Sequence, residues 1–192
     1  MLNILENNLF NSNNVKSLLI EFVGILALAI ALFLLVQTFA SKAVVDGSSM
    51  EPNLSHGQKI LVNKVAYLFS EPERGDIIIF DPPVYSDNDY IKRVIGLPGE
   101  VIEIKNGTVY IHRTDDSILA LNESAYISEN PDYTYISEAI PENHYFVLGD
   151  NRNNSGDSHY GWFVARADIV GKAWFSYSPL ADFGLVLNYS FK

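Results

Sequence analysis

The chain contains no cysteine, and that one absence removes disulfide frameworks, thiolate zinc sites, iron–sulfur ligation and cysteine nucleophiles. It also leaves the redox compartment unreadable. Histidine is scarce: four occur, at positions 56, 112, 144 and 159, and none forms an HExxH pair. Neither a GxGxxG nor a P-loop run is present, so metal, dinucleotide and P-loop chemistry lose their usual signatures and no metal or cofactor is expected. Basic residues are few, 13 Lys+Arg against 23 Asp+Glu, for a formal net charge of −10. No broadly basic surface exists to displace counterions from a phosphate backbone, so nucleic acid is not an expected partner.

What is present is apolar. Hydrophobic residues make up 48% of 192 residues, too many for a disordered chain and enough for one core plus a greasy segment. That segment is Leu18–Val36, LLIEFVGILALAIALFLLV, with Glu21 its single charge. Nineteen helical residues span roughly 28 Å, close to the hydrocarbon thickness of a bilayer. The expected division is therefore a short tail over residues 1–17, a transmembrane anchor over 18–40 and a folded body over 41–192. A cleaved secretory signal fits less well, because the Asn-rich head Met1–Asn14 lacks a positive n-region. The flanking charges, Lys16 with the free amine on one side and Lys42 on the other, do not set an orientation.

Beyond Ala40, short apolar runs alternate with Gly, Pro, Asn and Asp, the punctuation of a β-protein. Ile60–Val65, Asp76–Phe80, Tyr145–Leu148 and Ile169–Tyr177 read as strands, the second apolar throughout as a buried strand is. Val101–Lys105 and Thr108–His112 flank Asn106-Gly107, which supplies the two positive-φ positions of a type I′ hairpin turn. Arg113–Asn143 is polar with interspersed tyrosines and reads as a small β-rich lobe, residues 113–143, inserted into the main sheet system. The fold class expected is all-β, a β-sheet body preceded by one helix.

Three segments carry candidate chemistry. The first is Asp46-Gly47-Ser48-Ser49-Met50-Glu51-Pro52-Asn53-Leu54, in which Ser49 lies nine residues past Ala40, within roughly 30 Å of any membrane even if fully extended. A Gly-Ser-Ser run is usually only an exposed loop. It becomes a nucleophile when a base takes the serine proton, and two bases compete: His56, which beside Gly57 also reads as a turn residue, and Lys92 in YIKRVIGLPGE. If Tyr90–Ile95 is a strand, Lys92 and Arg93 fall on opposite, largely apolar faces, so one of the two cations is expected to be buried. Burial disfavours an ammonium and yields an amine base near neutral pH. Lys92 snorkelling to solvent is the plainer alternative. The third segment, GDNRNNSGDSHYGWF from Gly149, is either a solvated loop or a rigid polar loop that orients a catalytic amine.

Taken together, the apolar anchor, GSSMEPNL, RGDIIIF at Arg74–Phe80, YIKRVIGLPGE and GDNRNNSGDS stand in an order that resembles the type I signal peptidases of the short, single-span, Gram-positive-like bacterial kind. The resemblance covers about Leu18 to Ser178 and is weakest in 113–143. It implies a Ser–Lys dyad protease that cleaves signal peptides from exported preproteins, with the bilayer as its second partner, the amino terminus in the cytoplasm and the catalytic body outside. Matched residue by residue, Ser49 is the nucleophile and Lys92 the general base, while Ser155 orients the lysine and Asp157 belongs to a supporting ion pair. Gly47, Ser48, Met50 and Pro52 frame the nucleophile, whose own N–H contributes to the oxyanion hole. Small side chains are implied at the first and third positions before the cut, with Ile77, Ile79 and Val94 expected to line those pockets. This chain has Asn53 where the family usually has threonine, and His159 where an arginine pairs with the Asp157 carboxylate, a pairing a histidine makes well only when protonated. An inactive homologue that binds leaders, and a tethered β-rich adhesin or assembly protein, are the alternative readings.

Overall fold

A computed structural model of the chain describes residues 12–189 and 191. The first eleven residues of the expected 1–17 tail lie outside the described residues. Helix α1 runs over Ser12–Phe39; its Leu, Ile, Ala and Phe content and lack of proline favour an unbroken helix. Its window Val15–Leu34 is long and apolar enough to cross a bilayer, and none of it is buried by the protein. At 1.5 Å per residue those 20 residues span about 30 Å.

The compact unit beginning at Ala40 contains twelve strands: β1 (Ala40–Val44), β2 (Lys59–Asn63), β3 (Ile77–Phe80), β4 (Tyr90–Gly96), β5 (Val101–Lys105), β6 (Thr108–His112), β7 (Ile118–Ala120), β8 (Tyr135–Ile136), β9 (His144–Leu148), β10 (Val164–Ala165), β11 (Ile169–Ser178) and β12 (Gly184–Leu185). The larger sheet has the order β1-β2-β11-β3-β4-β9-β10 with β12 on β11; the smaller is β7-β6-β5-β8. The Val101–His112 hairpin thus belongs to the smaller sheet, with β7 and β8 of the 113–143 segment added to its two edges. At its turn Asn106 and Gly107 take φ values of 51° and 74°, the left-handed pair a type I′ turn requires.

Strand β3 explains its own sequence. All four residues are buried: Ile77 and Ile79 enter a core with Met50, Leu54 and Ile60, whereas Ile78 and Phe80 enter another with Val94, Val147 and Val164. A strand covered on both faces cannot alternate polar with apolar, hence Ile-Ile-Ile-Phe. A third core fills the space between the sheets, where Ile102, Ile104, Val109 and Ile111 point inward from the hairpin toward Ile95, Phe146 and Leu148.

Two buried ion pairs tie β4 and the loop after β9 into the body. Arg93 on β4 grips Asp150 bidentately at 2.8 and 2.7 Å, with both side chains wholly inaccessible. Arg152 does the same to Glu123 at 2.6 Å through each terminal nitrogen. The Tyr126 ring lies between the two guanidiniums, 4.5 Å from Arg93 and 5.8 Å from Arg152. Asn53 closes the network, donating to Asp150 at 2.9 Å and to the Tyr126 carbonyl. An arginine cannot shed its charge on burial, so removing its carboxylate strands a cation in a dry interior. Glu123→Ala is therefore expected to lower unfolding free energy by about 3–5 kcal/mol in urea titrations, although position 123 lies in the polar 113–143 segment; a change within about 0.5 kcal/mol, the usual range for a surface substitution, would contradict this account.

Candidate functional site

Ser49 sits in a loop closed at its base by hydrogen bonds between Val45 and Gln58 and from Gly57 back to Val45, each 2.8 Å. Within the loop, Met50 and Leu54 are buried in the core beneath β3, and a tight turn follows in which the amides of Asn53 and Leu54 both donate to the Met50 carbonyl. Gly47, at φ 87°, takes the left-handed conformation that a side chain disfavours. The sequence between a positive-φ glycine and a buried methionine is thus forced to present Ser48 and Ser49 at the surface of the body. Pro52, in contrast to Met50, is exposed.

The polar loop after β9 holds this segment from the other side. Asn151 donates its backbone N–H to the Ser49 carbonyl at 3.0 Å and its side-chain amide to the Ser48 carbonyl at 3.2 Å. Asn154 donates to Ser48 Oγ at 3.0 Å. Gly149 permits the approach, since a Cβ there would meet Ser155 Oγ at 2.2 Å and the Ser49 carbonyl at 2.5 Å. Asn151 and Asn154, in the segment that read as either a solvated or a rigid polar loop, are therefore specific contacts of the Gly-Ser-Ser segment.

Lys92 is 5% exposed, and its Nζ donates to Ser49 Oγ at 2.8 Å and to the Ile91 carbonyl at 3.0 Å. Burial drives its pKa down from 10.5 to about 8, against the smaller upward pull of Asp157 and Asp150. Neither carboxylate touches the amine. Asp150 is taken by Arg93; Asp157 accepts from the Gly149 amide at 2.9 Å and faces His159 Nδ1 at 2.7 Å. His159 is stacked on Tyr133 with centroids 4.5 Å apart, which ties the 113–143 segment to the loop. Strand alternation expected one of the cations at 92 and 93 to be buried. Both are, Arg93 with a matching carboxylate and Lys92 with none in contact, so only the lysine has its charge disfavoured.

The Ser155 hydroxyl is buried and has no hydrogen-bond partner among the described residues; it sits against Gly149, and Lys92 donates to Ser49 and to the Ile91 carbonyl instead. The other candidate base, His56, meets Gly47 and Asp46 with its Nδ1. A cavity of about 810 Å³ opens beside the Ser49–Lys92 pair, with apolar walls from Ala43, Val45, Ile60, Ile79 and Ile91. Of the three residues expected to line such a cavity, Ile79 does so, opposite Ile91 in the β3–β4 ladder. Ile77, two residues earlier on β3, is wholly buried in the core that also holds Met50, and Val94 packs into the core that holds Ile78 and Phe80. Among the described residues no group of three or more His, Asp or Glu is placed to hold a metal ion.

The chain is similar to known proteins. The family model described as signal peptidase, peptidase S26, matches residues 19–178. A probable signal peptidase I-1 from Synechocystis sp. is 37% identical over 179 residues, covering 89% of this chain and 88% of its own length. Signal peptidase I S of Bacillus subtilis is 35% identical over 174 residues, covering 87% of this chain and 93% of that protein. A solved signal peptidase I from Enterococcus faecalis shares 37% identity, covers 54% of this chain and 97% of its own, and superposes with a TM-score of 0.44. With a family match across most of its length, the chain belongs to the signal peptidases, peptidase family S26, and is a serine endopeptidase.

Proposed function

We propose that this chain is a membrane-anchored peptidase that removes N-terminal signal peptides from exported preproteins, with Ser49 as nucleophile and Lys92 as general base. The observation that carries the reading is the 2.8 Å contact between a serine hydroxyl and a lysine amine that burial holds near a pKa of 8. Neutral Lys92 accepts the Ser49 proton as Oγ attacks the scissile carbonyl, giving a tetrahedral oxyanion. The Ser49 N–H donates to that oxygen; Gly47 contributes no hydroxyl there. The lysinium then protonates the departing amine, the C–N bond breaks, and an ester to Ser49 remains. A water molecule, deprotonated by the again neutral lysine, hydrolyses the ester and restores both groups.

Substrate recognition follows from the cavity. Among the described residues β1 pairs on one side only, with β2, and its residues Lys42, Ala43 and Val44 line the cavity. An extended peptide adds to such an edge through its main chain, and its alternate side chains fall against the walls. Ala43, Val45, Ile60, Ile79 and Ile91 leave small apolar spaces suited to alanine-sized side chains. In this reading the anchor expected over residues 18–40 is carried by α1, which ends at Phe39 with Ala40 already in β1; the amino terminus is cytoplasmic, the body over 41–192 extracytoplasmic and 113–143 an inserted lobe. Sharing one bilayer raises the effective concentration of a membrane-bound preprotein at the site.

Cleavage of a leader-bearing preprotein in detergent micelles tests the assignment directly. Ser49→Ala and Lys92→Ala are each expected to lower kcat/KM by about three orders of magnitude or more while leaving substrate binding measurable. Turnover equal to that of the unaltered protein in either variant would sink the dyad.

The acidity of Lys92 yields two further expectations. Since only the neutral amine accepts the serine proton, kcat/KM should rise with unit slope and level off near pH 8; a plateau reached only above about pH 10, where free lysine titrates, would mean a solvated amine. The stability consequence has the same origin. Between about pH 8 and 10.5 the unfolded lysine carries a proton that the folded one has lost, so stability rises with pH across that window. Below it the folded protein bears a cost of roughly 3 kcal/mol for ionised Lys92. Lys92→Met is expected to stabilise the protein at neutral pH, by an amount that shrinks as pH rises from 8 toward 10.5 in denaturant titrations.

A further inference from the structure

His56 crosses the neck of the nucleophile loop. Its Nδ1 accepts the Gly47 backbone N–H at 3.1 Å, and the same nitrogen lies 3.3 Å from Asp46 Oδ1. The ring is largely exposed and lines the cavity beside Ser49. One ring nitrogen cannot serve both neighbours in one protonation state. Neutral imidazole with its proton on Nε2 offers Nδ1 as an acceptor, which suits Gly47; imidazolium has a proton on Nδ1 and suits only the carboxylate. Asp46 is the charge facing the ring from its own loop. The other charged groups lining the same cavity are Lys42 on β1, Asp89 just before β4, and Lys92 on β4.

We propose that His56 is a positioning residue for the nucleophile: neutral, it pins the Gly47 amide two residues before Ser49; protonated, it turns to Asp46 and lets that amide go. The inference rests on the assignment of Ser49 as nucleophile and adds a proton-dependent control of where that serine stands. The loop is anchored at Met50, at the Val45–Gln58 base and by Asn151 and Asn154, so loss of the Gly47 bond loosens one point among several. A net hydrogen bond of this kind corresponds to about a three- to tenfold change in rate.

The discriminating variant is His56→Asn, whose side-chain oxygen takes the place of Nδ1 as an acceptor and does not titrate, compared with His56→Ala, which offers no acceptor. In full-length protein in detergent, kcat for the unaltered enzyme should follow His56→Asn at about pH 8.5 and fall toward His56→Ala at about pH 6, so that the ratio of His56→Asn to unaltered enzyme rises about three- to tenfold as pH is lowered, with KM little changed. In parallel, the Gly47 amide resonance should titrate in step with His56 Nδ1 in the Ser49→Ala background and stay fixed in Ser49→Ala/His56→Asn. A pH-independent ratio together with a static Gly47 resonance would overturn the proposal while leaving the dyad intact. Undiminished turnover in Ser49→Ala would instead remove the nucleophile assignment on which it rests.

Discussion

Everything about this site turns on the removal of water from one amine. Lys92 and Arg93 are neighbours on β4, both buried, and the body deals with them in opposite ways. The guanidinium cannot be neutralised, so it is matched atom for atom by Asp150. The ammonium can be, and it is left without a carboxylate in contact; its neighbours are a hydroxyl, a carbonyl and the Tyr90 ring at 5.2 Å. Had Asp157 or Asp150 been free to reach it, the amine would have stayed charged. Each is held elsewhere, Asp150 by Arg93 and Asp157 by the Gly149 amide and His159. The ion pairs around Lys92 thus keep acids away from the amine as much as they stiffen the frame, which is what the proposed dyad requires.

The second requirement is geometric. Ser49 belongs to a loop and Lys92 to a strand, so their 2.8 Å separation depends on the loop being immobilised. Three independent restraints do this: the buried Met50 and Leu54 side chains, the paired ends at Val45 and Gln58, and the amides of Asn151 and Asn154. The last two are themselves fixed, because Asp150 and Arg152 on either side of Asn151 are locked to Arg93 and Glu123. Binding and catalytic groups on loops gain their precision from such rigid supports.

Parts of this were readable from residues alone. The Ile-Ile-Ile-Phe run announced a strand covered on both faces, and Asn106-Gly107 announced its hairpin, because both signals are local. The pairing of Ser49 with Lys92 came from motif resemblance and from the oddity of two adjacent cations in an apolar strand; neither gives a distance. What stayed hidden depends on partners remote in sequence. Nothing in the polar 113–143 tract marks Glu123 as the counter-ion of Arg152, 29 residues away. Ile77 and Ile79 are indistinguishable as letters and share one core, and only the folded arrangement decides that the second also meets the cavity. The sequence leaves the polar loop open between a solvated and a rigid one because the acceptors of its asparagines, on Ser48 and Ser49, lie about a hundred positions upstream.

The unpaired side of β1 carries a liability as well as a use. Among the described residues that edge is a row of free main-chain groups, and what would receive an extended substrate in the proposed reading is equally a template for the same strand of another molecule. Lys42 stands at the middle of that strand and is exposed. Two such strands laid edge to edge bring their ammonium groups near one another, and like charges facing each other across a strand pair are unfavourable. A short strand with a central cation is thereby kept open to a passing guest and closed to its own twin.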